Sequence, residues 1–141
     1  YKERPAEKMA LAFYDQKYVT EDLIDAVEGA LDRPGTVAAA LAAVRGQRYA
    51  AVEANYRKIQ QKTLLLWGRE DVVAQLSYGE RLTRDLPSSR LIVYPRCGHF
   101  PMIEAKDESN RDLIAFLSET TAETSASVSR VSTDVSEKAA P

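Results

Sequence analysis

Two short apolar runs, joined by one amphipathic stretch, restrict the fold of this 141-residue chain more than any other feature. The first run, Thr63–Trp67, is closed by Gly68 and is typical of a strand buried on both faces. The second run is Arg90–Tyr94, and the stretch Leu76–Leu86 between them has the pattern of a helix. Because such a crossover is right-handed, the two strands are expected to be parallel neighbours. The sequence therefore predicts an α/β fold.

Short helices are predicted ahead of the first strand. Ala6–Gln16 is rich in helix formers, and Thr20 is a good N-cap for a second helix. A third, alanine-rich helix is expected from Thr36 to about Gly46, and a short fourth helix over Tyr49–Lys58. The apolar faces of these helices are modest, as expected of a layer that covers a larger body.

The last part of the chain is predicted to contain one helix followed by a polar tail. Asp107 is expected to cap a last amphipathic helix. Four apolar side chains of that helix would face the sheet: Leu113, Ile114, Phe116 and Leu117. After Glu119 the sequence is dominated by Thr, Ser, Ala and scattered charges, which cannot bury enough apolar surface to order themselves. The predicted organisation is a helical part over residues 1–60, an α/β part over 61–119 and a disordered tail over 120–141.

The charge and hydropathy patterns argue against nucleic-acid and membrane partners. The chain has 19 basic and 21 acidic residues, and the basic ones form no stripe. The longest apolar runs are well short of the roughly 18 to 20 residues of a membrane-spanning helix. Cys97 is the only cysteine, so an internal disulfide is impossible and the reducing cytoplasm is the expected compartment. The opening residue, Tyr1, suggests that more sequence precedes it.

A carboxylate and an imidazole follow the two predicted strands. Asp71 lies in the loop after the first strand, and His99 lies in the loop after the second. Functional groups of open α/β sheets collect at the carboxyl ends of the strands, so these two side chains are expected to meet. A carboxylate that holds one ring nitrogen fixes the imidazole tautomer and stabilises the imidazolium form. The pair is therefore predicted to be a general base with its orienting acid.

These loops and their surroundings resemble a known family. The segments Leu-Leu-Leu-Trp-Gly-Arg-Glu-Asp, Leu-Pro-Ser-Ser-Arg-Leu-Ile-Val and Gly-His-Phe-Pro-Met-Ile-Glu, with the closing Ile-Ala-Phe-Leu, are similar to the C-terminal portion of an α/β hydrolase. The resemblance spans Thr63 to Leu117 and implies that Asp71 is the triad acid, that His99 is the base and that the preceding helices form a cap. It implies an incomplete sheet, a small-molecule substrate, and neither a metal nor an organic cofactor.

Each assignment has an alternative. Glu70 stands beside Asp71 and could replace it, or both acids could simply cap the following helix. Cys97 is close to His99, but a thiol two residues from its base on one loop is poorly placed for attack, so it is expected to be a bystander. Glu104 is expected to have a structural role in the loop after His99.

Residues near the pair are candidates for substrate contact. Phe100 and Val73 could line the substrate pocket or could simply pack. Three aromatic residues of the first helix could face substrate, but anchoring to the body is the more usual role: Phe13, Tyr14 and Tyr18.

Several functions remain compatible with these residues. The leading interpretation is a hydrolase of a small apolar ester, or of an activated carbon–carbon bond, that uses a serine, His99 and Asp71. No Gly-x-Ser-x-Gly occurs in the chain, so the serine would lie upstream. The alternatives are an epoxide hydrolase or haloalkane dehalogenase with an aspartate nucleophile, a non-catalytic ligand-binding protein, and a stand-alone interaction domain. The sequence leaves the oligomeric state open.

Overall fold

The computed structural model describes residues 5–119, which open with short helical elements. The elements before the sheet are 3₁₀ turns at Pro5–Ala12, Gln16–Tyr18 and Tyr56–Lys58 and the helices α1 (Glu21–Leu31), α2 (Thr36–Gly46) and α3 (Tyr49–Glu53). The helix predicted over Ala6–Gln16 is therefore present only as far as Ala12, and as a 3₁₀ helix rather than an α-helix. The helix cannot continue because the Ala12 carbonyl and the Tyr14 N–H are bonded to residues far along the chain. The predicted single helix over Tyr49–Lys58 is also wrong, since i→i+3 bonds at Asn55 divide it.

The starts of α1 and α2 agree with the sequence prediction. The Thr20 hydroxyl accepts a hydrogen bond from the Leu23 N–H at 3.2 Å, so Thr20 caps α1 as expected. Gly35 has a φ of 86°, a left-handed conformation that glycine adopts without steric cost, and it stands directly before Thr36. α2 then runs to Gly46 as predicted.

The predicted strand–helix–strand unit is present. Strand β1 (Thr63–Gly68) pairs in parallel with β2 (Ser89–Tyr94), and α4 (Leu76–Asp85) connects them. Helix α4 approaches the sheet closely at Gly79, where an added Cβ would stand 2.9 Å from the Trp67 ring. Within residues 5–119 the sheet has only these two strands, and β1 is half-buried up to Trp67. In the described residues β1 is therefore half-buried rather than buried on both faces, which agrees with the predicted incomplete sheet.

The chain after β2 is helical. Helix α5 (Pro101–Glu104) is followed by α6 over 106–119, which starts just before Asp107 rather than being capped by it. Residues 107–119 belong to a second compact unit. Leu113, Ile114 and Leu117 are exposed, against the expectation of a buried apolar face. The predicted tail over 120–141 lies outside the described residues.

Buried side chains gather beyond the carboxyl ends of the two strands. Phe13, Tyr94 and Cys97 are each no more than 5% exposed. Several of the most buried side chains of the described residues therefore lie near the two strand-end loops. Among residues 5–119, no helix has both the length and the apolar character needed to cross a membrane.

Candidate active site

The loops that follow β1 and β2 leave the sheet side by side. We call residues 69–74 the acid loop and residues 95–100 the histidine loop. Beyond the strands, the Arg69 N–H donates to the Tyr94 carbonyl at 2.9 Å, and the Glu70 N–H donates to the Cys97 carbonyl at 3.0 Å. Because these backbone bonds continue the pairing past the strand ends, the two loops have a fixed relation to each other.

The structure brings Asp71 and His99 into direct contact. Asp71 Oδ2 lies 2.8 Å from His99 Nδ1. The second carboxylate oxygen, Oδ1, accepts hydrogen bonds from the Val73 N–H at 2.8 Å and the Ala74 N–H at 2.9 Å. The Asp71 side chain is only 5% exposed, whereas the His99 side chain is 37% exposed. The carboxylate is therefore held on both oxygens, while the imidazole remains accessible to a reactant.

Glu70, the alternative acid, has a different task. Its Oε2 accepts a hydrogen bond from the Cys97 N–H at 3.1 Å. Together with the backbone bond from the Glu70 N–H, this contact clamps the acid loop to the histidine loop. Of the two neighbouring acids, Asp71 is the one that contacts the imidazole.

Cys97 is fully buried. Burial is the main cause that raises the pKa of its thiol to about 12, and the negative charges of Glu104, Glu70 and Asp71 add to the effect. At neutral pH the thiol is therefore protonated as well as inaccessible. Both properties support its predicted role as a bystander.

Two glycines permit the close approach of the segments that form the site. A Cβ at Gly68 would collide with the carbonyl groups of Cys97 and Gly98. A Cβ at Gly98 would collide with the Ala12 carbonyl and would stand 2.9 Å from the Tyr14 N atom. A side chain at Gly68 would therefore push β1 away from the histidine loop, and a side chain at Gly98 would push that loop away from Ala12 and Tyr14.

The histidine loop is also hydrogen-bonded to residues 12–15, which we call the N-terminal segment. The His99 N–H donates to the Ala12 carbonyl at 2.7 Å. Glu104 Oε1 accepts from the Gly98 N–H at 2.7 Å, and Glu104 Oε2 accepts from the N–H groups of Tyr14 and Asp15, each at 2.9 Å. Sequence analysis missed these contacts because backbone atoms carry no residue-type signal. Only Glu104, for which a structural role was expected, could have pointed to them.

Aromatic rings flank the imidazole. The Phe13 and Phe100 rings have centroids 4.7 Å apart, and the Phe100 ring lies edge-on to His99 at 5.3 Å. Phe13 is buried and Tyr18 stacks on it at 6.4 Å, which agrees with an anchoring role for these two residues. Tyr14 is 49% exposed. The segment carrying Phe13 is therefore packed directly beside the pair.

The two predicted substrate contacts differ in their surroundings. Phe100 lies against the imidazole and is half-buried, whereas Val73 is 58% exposed and approaches Asp71 through its backbone N–H. Substrate binding by either residue stays a prediction. Among residues 5–119, no group of three or more His, Cys, Asp or Glu side chains is arranged to hold a metal ion.

Comparison with known proteins yields one family. Residues 8–106 match the family model described as the alpha/beta hydrolase fold. A 2-hydroxy-6-oxo-6-phenylhexa-2,4-dienoate hydrolase from Comamonas testosteroni is 34% identical over 107 residues, which are 74% of this chain and 37% of the relative. A protein of the same name from Burkholderia cepacia is 42% identical over 60 residues, which are 43% of this chain and 21% of the relative.

Solved structures that superpose on this chain include hydrolases as well. A meta-cleavage product hydrolase from Pseudomonas fluorescens, a mutant complexed with acetates, superposes with a TM-score of 0.71 at 27% identity. The superposition covers 82% of this chain and 44% of that protein. The chain thus spans less than half the length of each of these relatives.

Proposed function

Because this chain belongs to the α/β hydrolase fold family, we propose that it supplies the acid and the base of a hydrolase that cleaves the carbon–carbon bond beside a ketone in an unsaturated oxo acid. Membership confirms the resemblance and the fold class predicted from the sequence. The proposed nucleophile is a serine outside these 141 residues, since they contain no Gly-x-Ser-x-Gly.

The observation that carries the proposal is the 2.8 Å contact between Asp71 Oδ2 and His99 Nδ1. With Nδ1 bonded to the carboxylate, the other ring nitrogen, Nε2, is the one available to a nucleophile. In this role His99 takes the proton of the attacking hydroxyl, and Asp71 stabilises the imidazolium that results. The low exposure of Asp71 strengthens that interaction because little water competes for the carboxylate.

The proposal that a carbon–carbon bond is cleaved is based on the names of the relatives. The matching proteins from Comamonas testosteroni and Burkholderia cepacia are named as hydrolases of a 2-hydroxy-6-oxo-6-phenylhexa-2,4-dienoate. Before the bond can break, such a dienol must convert to its keto tautomer, in which C5, the carbon beside the 6-oxo carbon, has gained a proton and the 2-hydroxyl group has lost one. A nucleophile can then attack the 6-oxo carbon, and the electron pair of the C5–C6 bond leaves as a dienolate, whose oxygen can take a proton from an imidazolium at His99. Water then releases the acyl group from the nucleophile. The reaction therefore needs the proton transfers that this pair can perform.

The surroundings of His99 suit an apolar substituent. Phe100 is in edge contact with the imidazole, and Phe13 backs Phe100. We propose that Phe100 contacts the group attached to the ketone, with Val73 on the open side of the acid loop. An ester with an apolar acyl group would use the same side chains, so ester cleavage is the second activity to measure.

The test is a turnover assay on the whole protein that contains this chain. The substrates are 2-hydroxy-6-oxo-6-phenylhexa-2,4-dienoate, a p-nitrophenyl ester and a styrene-type epoxide. We expect the dienoate to be hydrolysed with the highest kcat/KM, and we expect His99→Ala to lower its kcat by about 10⁴-fold or more. Loss of the dienoate absorbance measures the reaction.

Other outcomes would contradict the proposal in distinct ways. Preferred epoxide turnover, with an aspartate as the alkylated nucleophile, would indicate the epoxide hydrolase alternative. Tight dienoate binding without turnover would indicate a ligand-binding protein. Full activity in His99→Ala would remove the catalytic assignment altogether.

A further inference from the structure

Glu104 has an unusual set of contacts for a carboxylate close to a catalytic pair. It accepts three backbone N–H groups, and these come from two segments that are more than eighty residues apart: Gly98 on one side, Tyr14 and Asp15 on the other. Hydrogen bonds to an ionised carboxylate are about twice as strong as neutral ones. One side chain therefore joins the N-terminal segment to the histidine loop.

The joint reaches His99 through the two peptide groups that precede it. Glu104 Oε1 holds the Gly98 N–H at 2.7 Å, one residue before His99. The His99 N–H in turn donates to the Ala12 carbonyl at 2.7 Å, in the same N-terminal segment that Glu104 binds. The backbone that carries the imidazole is thus fixed by the same two pieces of chain that Glu104 connects.

We propose that Glu104 is the positioning residue for His99, and that it holds the imidazole against Asp71 by tying the histidine loop to Tyr14 and Asp15. The proposal rests on the proposed function only for the catalytic meaning of His99. Whether Glu104 keeps the Nδ1 atom of His99 within hydrogen-bonding distance of Asp71 can be tested without any reaction.

Glutamine is the informative replacement. It has nearly the same shape as glutamate, but it offers one acceptor oxygen and one amide NH₂ group. Three N–H donors then compete for one oxygen, and the NH₂ group faces at least one of them. Glu104→Gln must therefore release either Gly98 or the pair formed by Tyr14 and Asp15. Glu104→Asp keeps the charge and both oxygens but is one methylene shorter.

The first readout is the His99 ring itself. The nuclear magnetic resonance measurement uses the whole protein that contains this chain, and the signals of the His99 ring are identified by their loss in His99→Ala. In the unmodified protein we expect a strongly downfield Nδ1 proton, as found for an imidazole bonded to a carboxylate. Glu104→Gln should lose or broaden that proton and shift the ring ¹⁵N resonances, and Glu104→Asp should restore part of the signal. Glu80→Gln, the same chemical change at an exposed position of α4, should leave the signal unchanged.

The second readout is kinetic and uses the whole protein. Because a displaced base slows the chemical step more than it weakens binding, Glu104→Gln should lower kcat by about 10- to 100-fold with a much smaller change in KM. If the whole protein does not cleave the dienoate, the proposed function fails while the ring measurement still decides the role of Glu104.

Two results would overturn the proposal. One is a folded Glu104→Gln chain that keeps the downfield Nδ1 proton and unchanged ring ¹⁵N resonances. If Glu104→Gln does not fold, the other result comes from Glu104→Asp. Fast hydrogen exchange at Tyr14 and Asp15, together with an unchanged Nδ1 proton, would show that the joint does not position the ring.

Discussion

The two strand-end loops and the helical segment before them, which we define as residues 21–58, are held in different ways. In the loops, long-range hydrogen bonds of 2.7 to 3.1 Å fix named polar groups, and glycines stand where a Cβ would collide. In the helical segment the described caps are local, and an added Cβ at Gly29 meets nothing within 4 Å. The loops have one geometry to maintain, whereas the helical segment can vary in sequence.

The exposed surface of the helical segment agrees with this difference. On α2 the side chains Val37, Leu41 and Val44 are 52%, 48% and 65% exposed. Their spacing places them on one face of the helix. Asp71 differs from these exposed side chains, because both of its carboxylate oxygens have hydrogen-bond partners that a substitution would disturb. The chemistry is therefore concentrated in the loops.

The largest expected effect is that of Asp71→Asn on catalysis. The N–H groups of Val73 and Ala74 would select the oxygen of the new amide, so its NH₂ group would point at His99 Nδ1. His99 would then be held in the wrong tautomer, and kcat of the whole protein should fall by about 10⁴-fold while the fold is retained. Steady-state kinetics on the dienoate measures the loss.

Glu70→Gln is the matched control for that change. Glu70 accepts a single N–H through its side chain, which a glutamine oxygen can also accept. Its effect on kcat should therefore be much smaller than that of Asp71→Asn. The reverse order would make Glu70 the orienting acid.

The next effect is on stability and compares the two regions directly. Gly68→Ala should lower the free energy of unfolding by about 1 to 3 kcal/mol, because the new Cβ meets backbone carbonyls that cannot rotate away. Gly29→Ala in α1 should raise the same quantity by up to about 1 kcal/mol, since alanine is the better helix former and the site is open. Urea unfolding of both variants measures the two shifts. If both variants changed the free energy of unfolding by the same amount in the same direction, the loops and the helical segment would not differ in how tightly they are packed.

Much of the fold and of the candidate site could be predicted from the sequence. The two apolar runs predicted β1 and β2, and the stretch between them predicted α4, because the length and period of an apolar pattern can be read from the residues alone. Asp71 and His99 could be placed at one sheet edge since parallel strands send their carboxyl ends to the same side. Thr20 was a readable cap because its bond is local.

The remaining features depend on contacts that the sequence does not encode locally. The segment before α1 has helix-forming residues, but its backbone groups bond to His99 and Glu104 instead of completing a helix. The exposure of Leu113 and Leu117 shows that an amphipathic pattern does not specify what covers it. In the first case long-range hydrogen bonds outweigh the local helix propensity, and in the second case the apolar pattern alone does not determine burial.

A pH-dependent effect should come from Cys97. Its thiol pKa is raised to about 12 in the fold from a usual value of 9.0, so the unfolded chain loses this proton first as the pH rises. The contribution of the thiol to stability is complete below pH 9 and should then be lost progressively as the pH rises to the folded pKa. Urea unfolding at several alkaline pH values measures this loss.

Cys97→Ala separates this effect from the ionisation of other groups. The variant lacks the thiol, so its stability should decline less steeply between pH 9 and 11 than that of the unmodified chain. Parallel slopes would mean that the thiol ionises in the folded protein and that the loop region is open to water.

The smallest effect is expected where the helical segment meets α4. Arg81 pairs with Glu53 and lies 3.5 Å from Asp85, but its own side chain is 57% exposed. Ion pairs in this setting contribute about 0.2 to 1 kcal/mol. Arg81→Gln should therefore lower the free energy of unfolding by no more than that amount, and the loss should disappear in about 1 M salt, where the screening length is about 3 Å.

Arg84→Gln, at an exposed position of the same helix, is the control for the loss of charge. A salt-resistant loss above about 2 kcal/mol would show that the helical segment is held as firmly as the loops, and the contrast between the two regions would fail.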